Sequence, residues 1–327
     1  MARMSMHHNL LQLLSNGRFH SGEELGRELG VSRAAVWKSI KLLQKMGMTI
    51  FAIRGRGYSL EHSVELLESH KICSEYMTNK DRNLEQLLVL ESVPSTNSYL
   101  MERIDNDWVK PRAVVAEYQS EGRGRRGRNW CSPFAASIYL SLFYSFDRGV
   151  ADLGGISLAI GLAVRKAILS LMPCELSVKW PNDLMWKGKK LGGVLVELSG
   201  DPLSECKMVV GVGINYRMPN GTNIDQPWID LSSIVGDNLP SRNELTGALI
   251  ESILDACSVL DNSGFEQFIE EWSLADAVVN QKVSLQLGNK RIDGIARGID
   301  SLGSIRIESD GVVRSYASGE VSLRVTE

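Results

Sequence analysis

No apolar run in this chain is long enough to span a membrane. The start, Met1-Ala2-Arg3-Met4-Ser5, lacks the apolar core of a secretory signal. Cysteine is sparse: Cys73, Cys131, Cys174, Cys206 and Cys257 are odd in number, scattered, and form no CxxC pair. That pattern argues against both a disulfide framework and a zinc site. A cytoplasmic protein with no membrane partner and no protein-held metal is expected. Internal repeats and low-complexity tracts are absent as well. So is a large charge excess, because a formal net charge of −3 excludes a uniformly basic nucleic-acid coat while permitting one basic domain. At 327 residues, two or three domains are expected.

What the chain does have is Gly122-Arg123-Gly124-Arg125-Arg126-Gly127, a G-x-G-x-x-G spacing that lets backbone approach a ligand closely. A strand over 113–118 precedes it. The dinucleotide fingerprint also needs a helix after it, whereas Ile138 to Tyr144 reads as a second strand, so a Rossmann site is rejected. Arg123, Arg125, Arg126 and Arg128 stand against the single acid Glu121, which suits a flexible clamp for carboxylate and phosphate oxygens. A solvated basic loop is the plainer alternative, and the rest of the chain has to decide.

At the N-terminus, Leu10, Leu11, Leu13 and Leu14 form the apolar face of a short helix. Ser21-Gly22-Glu23-Glu24 is a capping box that opens a second helix, Gly30 permits a tight turn, and Ser32 caps a third. The third helix separates Val36, Ile40 and Leu43 from Arg33, Trp37, Lys38 and Lys41. Helix, turn and basic helix make a helix-turn-helix. Residues 49–60 read as a hairpin with Arg54 and Arg56 at its tip, a wing able to reach a DNA backbone. Through position 62 there are nine basic residues against four acidic ones, a local charge of +5. Ser32, Arg33, Trp37, Lys38, Lys41, Arg54 and Arg56 are therefore the candidate DNA-binding residues. A protein-contact role for the same module is the alternative. His7, His8 and His20 are expected at the surface rather than on a metal.

Glu61 to Val64 reads as a connection and 64–77 as a helix. A buried strand at 87–90 runs into Ser95-Thr96-Asn97, small polar residues that can cap a helix or hold a compact polar group. A long helix over 156–172 is followed by Lys179-Trp180-Pro181-Asn182-Asp183-Leu184, a turn, Lys190-Leu191-Gly192-Gly193 entering a strand, and a glycine-bearing strand over 209–215. Strands joined by turns, with helices interspersed, predict an α+β layer arrangement in which helices cover one side of a mixed sheet. From 278 onward five short alternating segments, separated by turns, predict a small β-module.

Ser95-Thr96-Asn97, Gln119, the loop at 122–127, the 179–184 block and Lys190-Leu191-Gly192-Gly193, in that order, resemble the biotin–protein ligases. With the winged helix in front, the chain is similar to the bifunctional bacterial type, ligase and biotin operon repressor in one polypeptide. The resemblance implies a class II synthetase-like central domain over 64–274, between a winged helix-turn-helix over 1–63 and an SH3-like β-barrel over 275–327. It implies biotin, ATP and magnesium as ligands, a biotin carboxyl carrier protein and operator DNA as partners, and a homodimer when the adenylate is bound. It places Ser95, Thr96, Asn97, Gln119, Arg123, Gly124, Arg125 and Lys190 around biotin. Arg125, Arg126, Arg128, Lys179, Asn182, Asn215 and Trp228 fall to ATP or the adenylate, and Arg123, Lys190 and Asp183 to catalysis. Two positions depart from the pattern, Cys131 where a bulkier aromatic is expected and Ala135 where glycine is frequent. A lipoate ligase and a non-enzymatic small-molecule sensor are the competing functions. The complete arginine loop and Lys190 weigh against the sensor.

Overall fold

The computed structural model describes residues 6–77, 83–104, 107–200, 205–317 and 321–325. The N-terminal unit holds α1 (Met6–Leu14), α2 (Gly22–Leu29), α3 (Arg33–Lys45) and the hairpin β1 (Ile50–Ile53) and β2 (Gly57–Leu60). Local chemistry sets its punctuation. Ser21 and Glu24 form the reciprocal capping box, Gly30 ends α2 in the left-handed region at φ 67°, and the Ser32 hydroxyl accepts from the Ala35 amide. Leu10, Leu14, Leu25, Val36, Ile40 and Leu43 then close one small core.

That core continues into the next unit. Phe134 and Ala135 pack with Met46 and Met48, the Phe134 amide donates to the Met46 carbonyl at 2.9 Å, and a side chain at Gly47 would strike Pro133. Ala135 adopts φ 54°. Glycine enters this left-handed region freely, while an L-residue with a Cβ costs roughly 1–2 kcal/mol there, which is the physical content of that departure. His7 and His20, expected at the surface, are half-buried and face Glu91 at 2.6 Å and Glu24 at 2.9 Å.

The helix expected over 64–77 is mostly absent. Residues 63–68 are irregular, and only α4 (Ser69–Lys71) and one wider turn over Ile72–Tyr76 follow. The reason is that side chains from elsewhere satisfy this backbone. The Leu67 amide donates to Glu117 Oε1 at 2.6 Å and the Glu68 amide to Asn243 Oδ1 at 2.8 Å. Arg242 Nη1 donates to the Glu65 carbonyl at 2.8 Å.

The central sheet runs β3 (Gln86–Val93), β4 (Arg112–Gln119), β5 (Ser137–Phe146), β9 (Cys206–Asn215), β8 (Lys189–Gly200), β7 (Asp183–Trp186) and β6 (Ser177–Lys179) in spatial order. Only β3 and β4 are parallel, so the sheet is mixed as expected. α6 (Ile156–Leu171) and α8 (Arg242–Ser263) cover one face, burying Ile138, Leu140, Leu142, Val210, Val212 and Ile214. The short α5 (Thr96–Met101) lies on the opposite face, where Leu100 packs on Phe143 and Val209. Helices are therefore not confined to one side. Of two further helices, α7 (Leu231–Val235) precedes α8 and α9 (Ile269–Ala275) leads to the last unit.

There β10 (Lys282–Leu287), β11 (Lys290–Ile299), β12 (Ile305–Ser309), β13 (Val312–Tyr316) and β14 (Val321–Val325) pair antiparallel in the order β13-β12-β11-β10-β14. These pairings are compatible with the SH3-like arrangement. Trp180 fastens this unit to the sheet, its indole donating to the Gly303 carbonyl at 3.0 Å.

The Arg242–Glu117 pair sits deepest in the seam, at 2.7 Å with side chains 1% and 6% exposed. A buried ion pair with one partner removed leaves an uncompensated charge, so Arg242→Ala is expected to cost about 3–5 kcal/mol. Urea denaturation followed by circular dichroism measures it, and Glu117→Gln, which leaves the Arg242 guanidinium buried without its counter-charge, should cost a comparable amount.

Candidate functional site

The alternation of strand residues decides which face can hold a ligand. On β9, Val210, Val212 and Ile214 point to the helices, leaving Gly211, Gly213 and Asn215 on the other face. β5 sets Ser141 opposite Gly211 and Tyr139 opposite Gly213. A Cβ at Gly213 would lie 2.6 Å from the Trp130 ring, and one at Gly211 would lie 2.2 Å from Asn97 Oδ1. The two glycines are thus the floor on which a tryptophan and an asparagine rest. Above them opens a cavity of about 1230 Å³.

The structure brings every candidate site residue of the central unit to this one cavity, while Ala135 packs instead on the N-terminal unit. Ser95, Thr96, Asn97 and Gln119 line one end. Arg123, Gly124, Arg125, Arg126 and Arg128 of the loop lie along it. Lys179, Asn182, Asp183, Lys190, Asn215 and Trp228 line the remainder.

The first end is a tight polar network. Ser95 caps α5 by accepting from the Ser98 amide, and the Thr96 amide and hydroxyl both approach Gln119 Oε1, at 2.9 and 3.1 Å. Gln119 Nε2 donates to Ser132 Oγ at 3.1 Å. Asn97 is used more heavily than a ligand contact requires. Its amide nitrogen donates to the Leu195 carbonyl and to Glu197 Oε2, at 3.3 and 2.8 Å, and its oxygen accepts from Ser141 at 2.6 Å. Asn97 therefore braces the wall as well as lining it.

The second end is cationic. Lys190 stands where β8 leaves its turn, and its Nζ lies 2.6 Å from Asp183 Oδ1 and 5.4 Å from the Trp130 ring centre. Its backbone is clamped to the 227–229 segment: the Lys190 amide donates to Pro227 and the Ile229 amide to Lys190. Asn215 Nδ2 donates to the Ile229 carbonyl, fixing the same segment and with it Trp228. Asn182 Nδ2 donates to the Val194 carbonyl at 2.6 Å. Burial pushes the Lys179 ammonium below its ordinary value, with Asp183 opposing. Burial likewise lowers Arg125, and neighbouring Arg126 and Arg128 add to that. Among the described residues, no three His, Cys, Asp or Glu side chains converge as a metal cluster would. A magnesium ion carried by phosphates would find Asn182 and Asp183 at this end.

Three residues of the site went unread in the sequence. Trp130 lies against Gly213 with its indole nitrogen buried and without a protein partner. Ser132 orients Gln119. Glu197 holds Asn97 and also accepts from Arg123 Nη2 at 2.9 and 3.1 Å. The alternation Gly193, Leu195, Glu197 on β8 is the signal that would have found it. Cys131 lines the cavity beside Trp130, and burial raises its thiol pKa.

The N-terminal unit presents the other candidate surface. Arg33, Trp37, Lys38 and Lys41 are exposed on α3, and Arg54 and Arg56 are exposed at the hairpin tip. Arg56 stacks 4.5 Å from the Phe19 ring centre. Ser32 serves as the α3 cap, its hydroxyl taken by the Ala35 amide.

With this geometry in place, comparison with known proteins is informative. Residues 89–215 match the Biotin/lipoate A/B protein ligase family, which sets the class of the central unit. Residues 7–59 match an HTH domain and residues 278–324 the biotin protein ligase C-terminal domain. Over 320 residues, 97% of each chain, the sequence is 40% identical to the bifunctional ligase/repressor BirA of Escherichia coli K12. It is 32% identical to the biotin–[acetyl-CoA-carboxylase] ligase of Mycobacterium tuberculosis, covering 72% of this chain and 88% of that one. The biotin protein ligase of Aquifex aeolicus in complex with biotin and ATP superposes with a TM-score of 0.64 at 29% identity, over 74% of this chain and all of that one. The chain belongs to the family of bifunctional ligase/repressors.

Because Gly211 touches Asn97, Gly211→Ala must either displace the asparagine or part the strands. Overpacking of this kind costs about 1–3 kcal/mol, and a lower urea midpoint is the expected reading.

Proposed function

We propose that this protein activates biotin with MgATP to biotinyl-5′-AMP, transfers the biotinyl group to a lysine of a biotin carboxyl carrier protein, and acts through its N-terminal unit as a biotin-responsive repressor of biotin synthesis genes. The observation that carries the enzymatic part is the single cavity with a compact polar end and a cationic end, joined by the arginine loop. In the first step a biotin carboxylate oxygen attacks the α-phosphorus of ATP. A C(O)–O–P bond forms, the bond to the β-phosphate oxygen breaks, and pyrophosphate leaves. In the second step the acceptor lysine amine attacks the acyl carbon, an amide forms and AMP leaves.

The positions of the lining residues support each assignment. Ser95, Thr96, Asn97 and Gln119 suit the ureido head group. Trp130 supports this end, with a buried indole donor available to a bound acceptor. Arg123, Gly124 and Arg125 lie over the ligand, and Lys190 meets the carboxylate and the phosphate it attacks. Two anions must be brought together there, and fixed cations lower that barrier. Arg125, Arg126, Arg128 and Lys179 suit the phosphates, Asn182 and Asn215 hold the surrounding backbone, and Trp228 offers a flat face for adenine. Magnesium bound with ATP supplies further charge neutralisation. Asp183, already bonded to Lys190, both orients that ammonium and is placed to accept a proton from the acceptor amine. A loop closed over the site keeps water from the mixed anhydride.

The units are taken as 1–63, 64–274 and 275–327: the first boundary falls in the irregular stretch after β2, and the second in the last turn of α9. β8 beyond Val194 pairs with β9 alone, since its pairing with β7 stops at Gly193 and Asn182 takes the backbone groups of Val194. That free edge suits a homodimer formed when the adenylate is bound, and a cytoplasmic site of action completes the proposal. Among the described residues no helix is long and apolar enough to cross a membrane.

Exchange of labelled pyrophosphate into ATP tests the chemistry. It is expected with biotin and not with lipoate, and Lys190→Met should slow it about 100-fold or more. Exchange with lipoate alone would move the protein to the neighbouring ligase activity.

For the DNA-binding part, Arg54 and Arg56 should each neutralise a phosphate without reading sequence. The double change Arg54→Ala, Arg56→Ala is expected to lower the slope of log affinity against log salt by about 2, for operator and random duplex alike. Fluorescence anisotropy across a salt series measures it, and an unchanged slope would remove the wing from the interface.

A further inference from the structure

Glu197 stands on β8, four positions beyond Gly193 and on the same face of the strand. In the sheet order β4-β5-β9-β8, the arginine loop leaves the end of β4, so two strands lie between it and Glu197. Those two strands carry the cavity floor, Ser141 opposite Gly211 and Tyr139 opposite Gly213. Three inter-strand gaps make a crossing of roughly 14 Å. Arg123 completes it: its Nη2 donates to both carboxylate oxygens of Glu197, at 3.1 and 2.9 Å. The same carboxylate accepts from Asn97 Nδ2 at 2.8 Å. One acidic side chain therefore holds the first arginine of the loop and the asparagine that braces the polar end.

We propose that Glu197 is a positioning residue: its carboxylate straps the arginine loop across the cavity floor and sets the Asn97 amide at the same time. A carboxylate is the group suited to this. It accepts from a guanidinium and an amide together, and Arg123 then covers the floor without adding an uncompensated cation over the polar end. Asn97 Nδ2 is turned to Glu197 and the Leu195 carbonyl, which leaves Asn97 Oδ1 to accept from Ser141. The loop's remaining arginines, Arg125, Arg126 and Arg128, line the cavity further along. In its consequence for ligand, the assignment rests on the biotin-ligase reading; in its structural part it does not.

Limited trypsin digestion with no ligand added separates the two. Cuts after Arg125, Arg126 and Arg128 report loop access and are scored by mass spectrometry. Glu197→Gln keeps an acceptor for Asn97 and removes the charge, so those cuts should accelerate about fivefold, the size of a partly exposed ion pair. Arg123→Gln should do the same, and the double variant should be no faster than either single one, because a shared interaction is lost only once. Arg123→Lys, which keeps the charge, should retain most of the protection. Equal cutting of wild type and Glu197→Gln, or single effects that multiply in the double variant, would overturn the strap.

The second readout is biotin-dependent pyrophosphate exchange. Glu197→Gln should raise KM for biotin about fivefold and leave kcat within about twofold, as for lost binding that is equal in ground and transition states. A fall in kcat with KM unchanged would overturn the positioning role. Wild-type protein with no exchange at all would sink the ligase reading instead, and the digestion pattern would still decide the strap.

Discussion

The site depends on the bare floor provided by two glycines of one strand. Gly211 and Gly213 alternate with Val210, Val212 and Ile214, so β9 is apolar toward α6 and α8 and empty toward the ligand. The emptiness has occupants, for Asn97 fits over Gly211 and Trp130 over Gly213. The first governs the compact polar end, and the second sits between that end and Lys190. Any side chain on either glycine would meet a packed neighbour rather than open space. The volume available to a ligand is therefore defined by residues that carry no chemistry.

A second constraint links the remote units to that floor. Glu117 and Arg242 are both buried, and between them they hold the backbone of 65–67, which leads from the N-terminal unit into the sheet. Arg242 also donates to the Ser137 carbonyl at the start of β5, and Pro133, Phe134 and Ala135 just before it pack on Met46, Gly47 and Met48. Ser132 orients Gln119 within the polar end. A continuous set of contacts thus runs from the DNA-facing unit to the cavity through a segment five residues long. Such continuity is the physical requirement for coupling two sites, although contact alone does not fix its magnitude.

Much of this was legible in the chain because it is local. The Ser21–Glu24 capping box, the Gly30 turn, the loop of arginines and the alternating C-terminal strands each declare themselves within a few residues, and their expected positions agree with the elements found. The motif residues of the central unit share one cavity. The illegible part is non-local. Arg123 and Glu197 are 74 positions apart, and Arg242 and Glu117 are 125 apart. Nothing in either neighbourhood signals the other. The expected helix at 64–77 failed for the same reason: its backbone groups are satisfied by Glu117, Arg242 and Asn243, which lie far away in sequence. Local propensity gives way where distant side chains offer better partners.

The cavity's charge balance brings these threads together. Lys179, Lys190, Arg125, Arg126 and Arg128 line it, and burial lowers Lys179 and Arg125 from their ordinary values. Concentrating cations in a half-buried space is unfavourable through both desolvation and mutual repulsion. Asp183 offsets part of that cost at Lys190, and Glu197 does so at Arg123. An incoming triphosphate and carboxylate relieve the rest, so the protein holds its cations poised at a cost that only an anionic ligand removes. That arrangement favours ligands with negative charge at one end and a neutral hydrogen-bonding group at the other. A cavity built merely to sense an uncharged molecule would have no use for the cationic half.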